Sequence, residues 1–93
     1  MIKNKLGIVG GGQLGMFICI AAKKIGLRTI VYSNNKNFSA KRFCDNFFLG
    51  SFSDKNKIED FIESADFFTI ETENIPNEFL RRIEYKKQLF PTR

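Results

Sequence analysis

The residues able to do chemistry in this 93-residue chain fall into two short groups. Gly10-Gly11-Gly12-Gln13-Leu14-Gly15 satisfies the GxGxxG pattern, and Glu71-Thr72-Glu73-Asn74 sets two carboxylates close together. Glycines in that pattern permit a tight turn and close backbone approach to a ligand. A helix starting there offers unpaired N–H groups, from Gly12 to Gly15, to an anion such as phosphate. Carboxylates repel phosphate, so Glu71 and Glu73 suit ribose hydroxyls or an amine instead. In an extended segment both would share one side, with Thr72 on the other. The chain has no histidine, which excludes imidazole general bases and the dyads and triads built on them. Cys19 and Cys44 lack CxxC spacing, so reduced thiols, buried or half-buried, are expected rather than a zinc site or a disulfide framework.

The elements that must position these groups read as alternating strands and helices. Leu6-Gly7-Ile8-Val9 is a short apolar run ending in glycines, as a buried parallel strand would be. Leu14, Phe17, Ile18, Ala21, Ala22 and Ile25 follow at helical spacing, predicting a helix that starts at Gln13 or Leu14 and packs on that stripe. Gly26 stops it, with Lys23 and Lys24 in its last turn. A second strand is predicted at 28–32, a polar loop at 33–40, and a third strand at 47–49. Asp54 is placed to cap a helix whose apolar face is Ile58, Phe61, Ile62 and Ala65. A fourth strand is predicted at 67–70, a third helix beginning around Asn74-Ile75-Pro76, and a fifth strand at Leu89-Phe90. The pattern implies an α/β fold, a Rossmann-like parallel sheet of four or five strands with helices on both faces, in one domain. With the order 3-2-1-4, the glycine turn and the glutamates leave the sheet at one crevice.

Nucleotide classes separate at this turn. Met16-Phe17 stand where a Walker A loop has Lys-[Ser/Thr], so the turn is not a P-loop. The second strand ends in Tyr32-Ser33-Asn34-Asn35, without the acid that holds the ribose of NAD. A phosphate of another ligand fits better, with a stand-alone dinucleotide-binding domain of an oxidoreductase or regulator as the alternative.

Composition narrows the partners. The chain is 43% apolar and 27% charged, as globular domains are. The net charge of +5 is spread along the chain apart from a cluster near the C-terminus, which reads as a solvated face and not a nucleic-acid site. No apolar run has the ~20 residues a membrane helix needs, and the first strand follows directly on the N-terminus, so no membrane contact and a cytoplasmic setting are expected.

Residues 8–16 (Ile8-Val9-Gly10-Gly11-Gly12-Gln13-Leu14-Gly15-Met16) resemble the opening motif of the N5-carboxyaminoimidazole ribonucleotide synthetases, the ATPase subunits of phosphoribosylaminoimidazole carboxylase. Residues 68–76 (Phe68-Thr69-Ile70-Glu71-Thr72-Glu73-Asn74-Ile75-Pro76) resemble that family's second signature, and Asp45 and Gly50-Ser51-Phe52-Ser53-Asp54 also follow its pattern. Gln13-Leu14 sets the chain apart from most dehydrogenases and from the related formate-dependent transformylases, which have Glu-Leu. Ser33-Asn34 departs from the Asp-Pro that the family often has. The resemblance spans the whole chain and implies a single preATP-grasp domain over 1–93, the first of three in a ligase of de novo purine biosynthesis. That ligase condenses aminoimidazole ribonucleotide with bicarbonate, using ATP and magnesium. By the same resemblance, Gln13 and Leu14 sit on the phosphoribosyl portion, Glu71 contacts the ribose or amine, and Glu73 assists. The ATP-grasp and C-terminal domains are expected to be absent. The chain alone is then expected to bind neither ATP nor Mg2+, to hold no catalytic or metal residue, and to be inactive. Self-association, or an ATP-grasp partner chain, is expected to cover the bare face.

Overall fold

The apolar run before the glycines forms strand β1 (Lys5–Val9), and the helical pattern after them forms α1 (Gln13–Lys24). A computed structural model describes residues 3–71 and 75–90, with the backbone alone at 88–90. Then come β2 (Arg28–Ser33), a 3-10 turn (Ser39–Arg42), β3 (Asn46–Leu49), α2 (Lys55–Ser64), β4 (Phe67–Ile70), α3 (Asn77–Lys86) and β5 (Gln88–Phe90). All strand pairs are parallel, in the order β3-β2-β1-β4-β5. The predicted order of four strands holds, and the short fifth strand lies beside β4. Among the described residues no helix is long and apolar enough to cross a membrane.

Alternation along the strands divides the core between the two faces of the sheet. Val9, Ile30, Tyr32 and Phe68 face α2 and α3, whose buried residues are Ile58, Phe61, Ile62, Phe79 and Ile83. Ile8 and Val31 face α1 and the 3-10 turn, with Cys19, Phe38 and Ala40. Phe61 sits at the centre of the first cluster, with ring centroids 5.2 Å from Phe68, 5.4 Å from Tyr32, 5.8 Å from Phe48 and 6.2 Å from Phe79. All four are edge-on, the arrangement that aromatic quadrupoles favour. Tyr32 is wholly buried, and its hydroxyl donates to the carbonyl of Ser51. Burial pushes that hydroxyl's pKa up to about 12, the Asp54 charge adding to the effect.

Local signals fix the helix ends. Asp54 caps α2 by accepting from the N–H of Lys57 at 3.1 Å, as expected. Gly26, with φ +84°, closes α1, where the N–H groups of Gly26 and Leu27 reach back to the carbonyls of Lys23 and Ala22. Helix α3 begins one residue beyond Pro76, which stands at the cap position. Arg82 pairs with Glu59 at 3.1 Å, joining α3 to α2.

Two expectations are corrected. The face that α1 buries is Gly15, Cys19 and Ala22, while Leu14, Phe17 and Ile25 are 57%, 53% and 76% exposed. Small residues let the helix lie close on the sheet, and the larger apolar side chains are displaced outward. The segment read as a polar loop holds Phe38 and Ala40 in the core and forms the 3-10 turn. Its two apolar residues are too few to show a period.

Candidate functional site

Strand β1 stops at the glycine turn because Gly10 adopts φ +106°, a conformation open to glycine and strained for other residues. Its N–H donates to the carbonyl of Tyr32 at 2.8 Å, continuing the sheet for one more bond. The chain then enters α1, whose first-turn N–H groups at Gln13, Leu14 and Gly15 have no carbonyl four residues back within the helix. Gly15 is buried beneath the turn, where a Cβ would stand 2.8 Å from the carbonyl oxygen of Gly10. That contact holds the helix start tight against the strand end.

Strand β4 delivers Glu71 to the same place. Its N–H donates to the carbonyl of Val9 at 2.8 Å, and its Oε2 accepts from the N–H of Gly12 at 3.3 Å. The carboxylate thus lies over the glycine turn, and the Gly12 donor already has an internal partner. A cleft of about 260 Å³ opens here, lined by Gly10, Gly11, Gly12, Ser33, Asn34, Asn35, Asn37, Phe38, Ser39, Phe52 and Glu71. Among the described residues no lysine or arginine lines it. The groups it offers are amides, hydroxyls, backbone N–H groups and one carboxylate, a set suited to a polyhydroxyl ligand.

Of the residues singled out in the sequence, Gly12 and Glu71 meet in the cleft. Gln13 and Leu14 are exposed in the first turn of α1 and do not line it. Gly15 supports the turn from below. Glu73 lies outside the described residues, as do Thr72 and Asn74.

Sequence reasoning missed the far wall, made by Ser33, Asn34, Asn35, Asn37 and Ser39, and also Phe52. The signal was available: an asparagine-rich loop following a parallel strand emerges at the carboxyl ends of the strands, where ligands bind. Ser33 Oγ and the Asn35 side chain hold that wall in shape, accepting from the N–H groups of Asn35 and Asn37 at 3.0 Å each.

Elsewhere the reactive groups are quiet. Cys19 is buried, and burial raises its pKa. Cys44 is half-buried and pushed up to about 11, by burial first and then by Cys19. Both are free thiols, as expected, and their raised pKa values disfavour thiolate chemistry near neutral pH. Among the described residues no group of three His, Cys, Asp or Glu side chains is placed to hold a metal ion.

Comparison with known proteins identifies the family and the fold. A family model for the ribonucleotide synthetase preATP-grasp domain matches residues 3–93. An N5-carboxyaminoimidazole ribonucleotide synthase of Saccharolobus solfataricus is 35% identical over 96% of this chain, which spans 23% of that protein. The chloroplastic phosphoribosylaminoimidazole carboxylase of Vigna aconitifolia is 30% identical over 85% of this chain, which spans 14% of it. The solved N5-carboxyaminoimidazole ribonucleotide synthetase of Thermus thermophilus superposes with TM-score 0.88 at 32% identity, over 94% of this chain and 24% of that one. The N5-carboxyaminoimidazole synthase of Aspergillus clavatus, solved with ADP and 5-aminoimidazole ribonucleotide, gives TM-score 0.81 at 25% identity, over 97% of this chain and 24% of that one. The chain therefore spans about a quarter or less of each of these relatives.

Proposed function

The chain belongs to the ribonucleotide synthetase preATP-grasp family, and from that premise we propose that it is the substrate-binding domain of a 5-(carboxyamino)imidazole ribonucleotide synthase of purine biosynthesis. In this reading residues 1–93 form one domain of a cytoplasmic ligase, working with ATP-grasp and C-terminal domains. The substrate is aminoimidazole ribonucleotide, the ligand of the Aspergillus clavatus relative. The observation that carries the proposal is the meeting of Glu71 with the glycine turn, at 3.3 Å from Gly12, in a cleft lined by hydroxyl and amide groups.

Each group then has a defined task. Glu71, as an acceptor, takes ribose hydroxyls or the amine. The first-turn N–H groups of Gln13, Leu14 and Gly15 face the phosphate, helped by a helix dipole worth roughly 0.3–1 kcal/mol for an anion. Glu73 keeps an assisting role toward the same hydroxyls. ATP and magnesium, which the family implies, do not fit the described residues: none of those lining the cleft is cationic, as a triphosphate would need, and no three His, Cys, Asp or Glu side chains among them are placed to hold a metal ion. The dinucleotide-binding alternative is not favoured, because β2 ends in Ser33 and Asn34 with no acid there for an NAD ribose.

The test is an NMR titration of the 93-residue chain with ribose 5-phosphate and with inorganic phosphate. Shifts are expected at Gly10 to Gly15, Ser33 to Asn37 and Glu71. Glu71→Ala should weaken ribose 5-phosphate about ten- to hundredfold, the loss of a hydrogen bond to a charged group, without weakening phosphate. Shifts confined to other residues, or tighter binding of NAD than of ribose 5-phosphate, would overturn the assignment. The chain alone should also release no ADP from ATP when given aminoimidazole ribonucleotide and bicarbonate.

A further inference from the structure

Placed on the fold, the acidic residues are not spread evenly. Residues 1–44 hold eight of the fifteen lysines and arginines and none of the ten acids. This segment builds β1, α1, β2 and the 3-10 turn, so the layer covering one face of the sheet is cationic. The acids lie from Asp45 onward, and among the described residues they stand on α2, α3 and the loops flanking the strands. Between α1 and the 3-10 turn runs a groove of about 370 Å³ lined by Ile20, Lys23, Lys24, Arg42 and Phe43. Its floor is apolar, Phe43 is 42% exposed, and Ile25, next in sequence to Lys24, is 76% exposed. The acid nearest in sequence, Asp45, is held away: its Oδ2 accepts from the N–H of Thr29 at 2.8 Å, and it lines a different cleft with Lys5 and Arg28.

We propose that this groove docks an acidic amphipathic helix of a protein partner. The apolar side chains would receive the partner's apolar stripe, and Lys23, Lys24 and Arg42 would face the carboxylates flanking it. A nucleic-acid backbone would match the charge but leave Phe43 and Ile25 without contacts. A planar bilayer would match the charge and the exposed apolar side chains but not a concave floor. The groove shares no lining residue with the glycine-turn cleft, so this inference and the ligand assignment fail separately.

The test uses a synthetic helical peptide with leucines at i, i+3, i+4 and i+7 and glutamates elsewhere, added to the 93-residue chain. Controls are an oligoglutamate of equal charge, a DNA duplex and phosphatidylglycerol vesicles. The peptide is expected to shift the amides of Ile20, Lys23, Lys24, Arg42 and Phe43 and to bind at least about tenfold tighter than each control. Lys24→Glu combined with Arg42→Glu should weaken it about tenfold or more, since like charges would then face each other. Ile25→Ser, at an exposed position that cannot unfold the core, should weaken the peptide and leave oligoglutamate unchanged. Equal binding of oligoglutamate, tighter binding of DNA or vesicles, or no shift in the groove would each overturn the proposal.

Discussion

One added methyl group at Gly15 separates a close-packed glycine turn from a merely permissive one. The side chain of Gly15→Ala would put its Cβ 2.8 Å from the carbonyl oxygen of Gly10, a backbone atom that cannot swing aside. Relief requires the start of α1 to move off the end of β1 by several tenths of an ångström. That shift also stretches the 3.3 Å bond from Gly12 to Glu71. Overpacking of this kind costs roughly 1–3 kcal/mol. Alanine in a helix interior recovers ~1 kcal/mol over glycine, which leaves a net loss of about 1 kcal/mol. In a domain of this size that lowers Tm by about 4–8 °C. Thermal and urea unfolding followed by circular dichroism would measure it. The reverse change Ala21→Gly, on the exposed side of the same helix, calibrates the propensity term. Gly15→Val, with more atoms at the same contact, should lose more stability and all phosphate-induced shifts. A Gly15→Ala domain stabilised by the full ~1 kcal/mol would refute the close-approach reasoning.

Phe61→Ala removes the ring at the centre of four edge-on partners and should cost about 3–5 kcal/mol, enough to leave the domain largely unfolded at 37 °C by near-ultraviolet circular dichroism. Asp54→Ala should cost ~1 kcal/mol by loss of the cap, and Asp54→Asn much less, both read from urea midpoints. Tyr32 holds its proton more tightly folded than unfolded, so its contribution is complete below pH 10 and is lost between pH 10 and about 12, up to ~2–3 kcal/mol. Tyr32→Phe should flatten that stretch of the stability curve, and an unchanged slope would argue against the buried hydroxyl as its source.

Much of the fold was legible because local signals agreed with tertiary packing. The run from Leu6 to Val9, the cap at Asp54 and the stripe of Ile58, Phe61 and Ile62 each named an element that formed where expected. Helix α1 misled because it is apolar on more than one side. Its spacing gave the period correctly but not which residues would meet the sheet, and the steric demand at Gly15 decided that. Gly12 and Glu71, which meet in the cleft, could be singled out in the sequence because a turn and a strand end carry their own chemistry. The wall from Ser33 to Ser39 was missed because its residues acquire a role only through the position of their loop, fixed in turn by buried Phe38 and Ala40.

The position of β1 in the middle of an all-parallel sheet bears on how the chain reaches this state. Its register partners are Arg28 to Tyr32 on one side and Phe67 to Ile70 on the other. The first pairing closes a short crossover through α1, while the second joins segments some sixty residues apart in the chain, and neither can form as a local hairpin. Loop closure must be completed before the second pairing is rewarded, so the search for β4 is expected to set the folding rate. During synthesis the β4-facing edge of β1 stays open until residue 70 has left the ribosome. Over that interval the nascent chain exposes an unpaired edge carrying Leu6, Ile8 and Val9, a surface on which a chaperone or a second nascent chain would compete with the native strand.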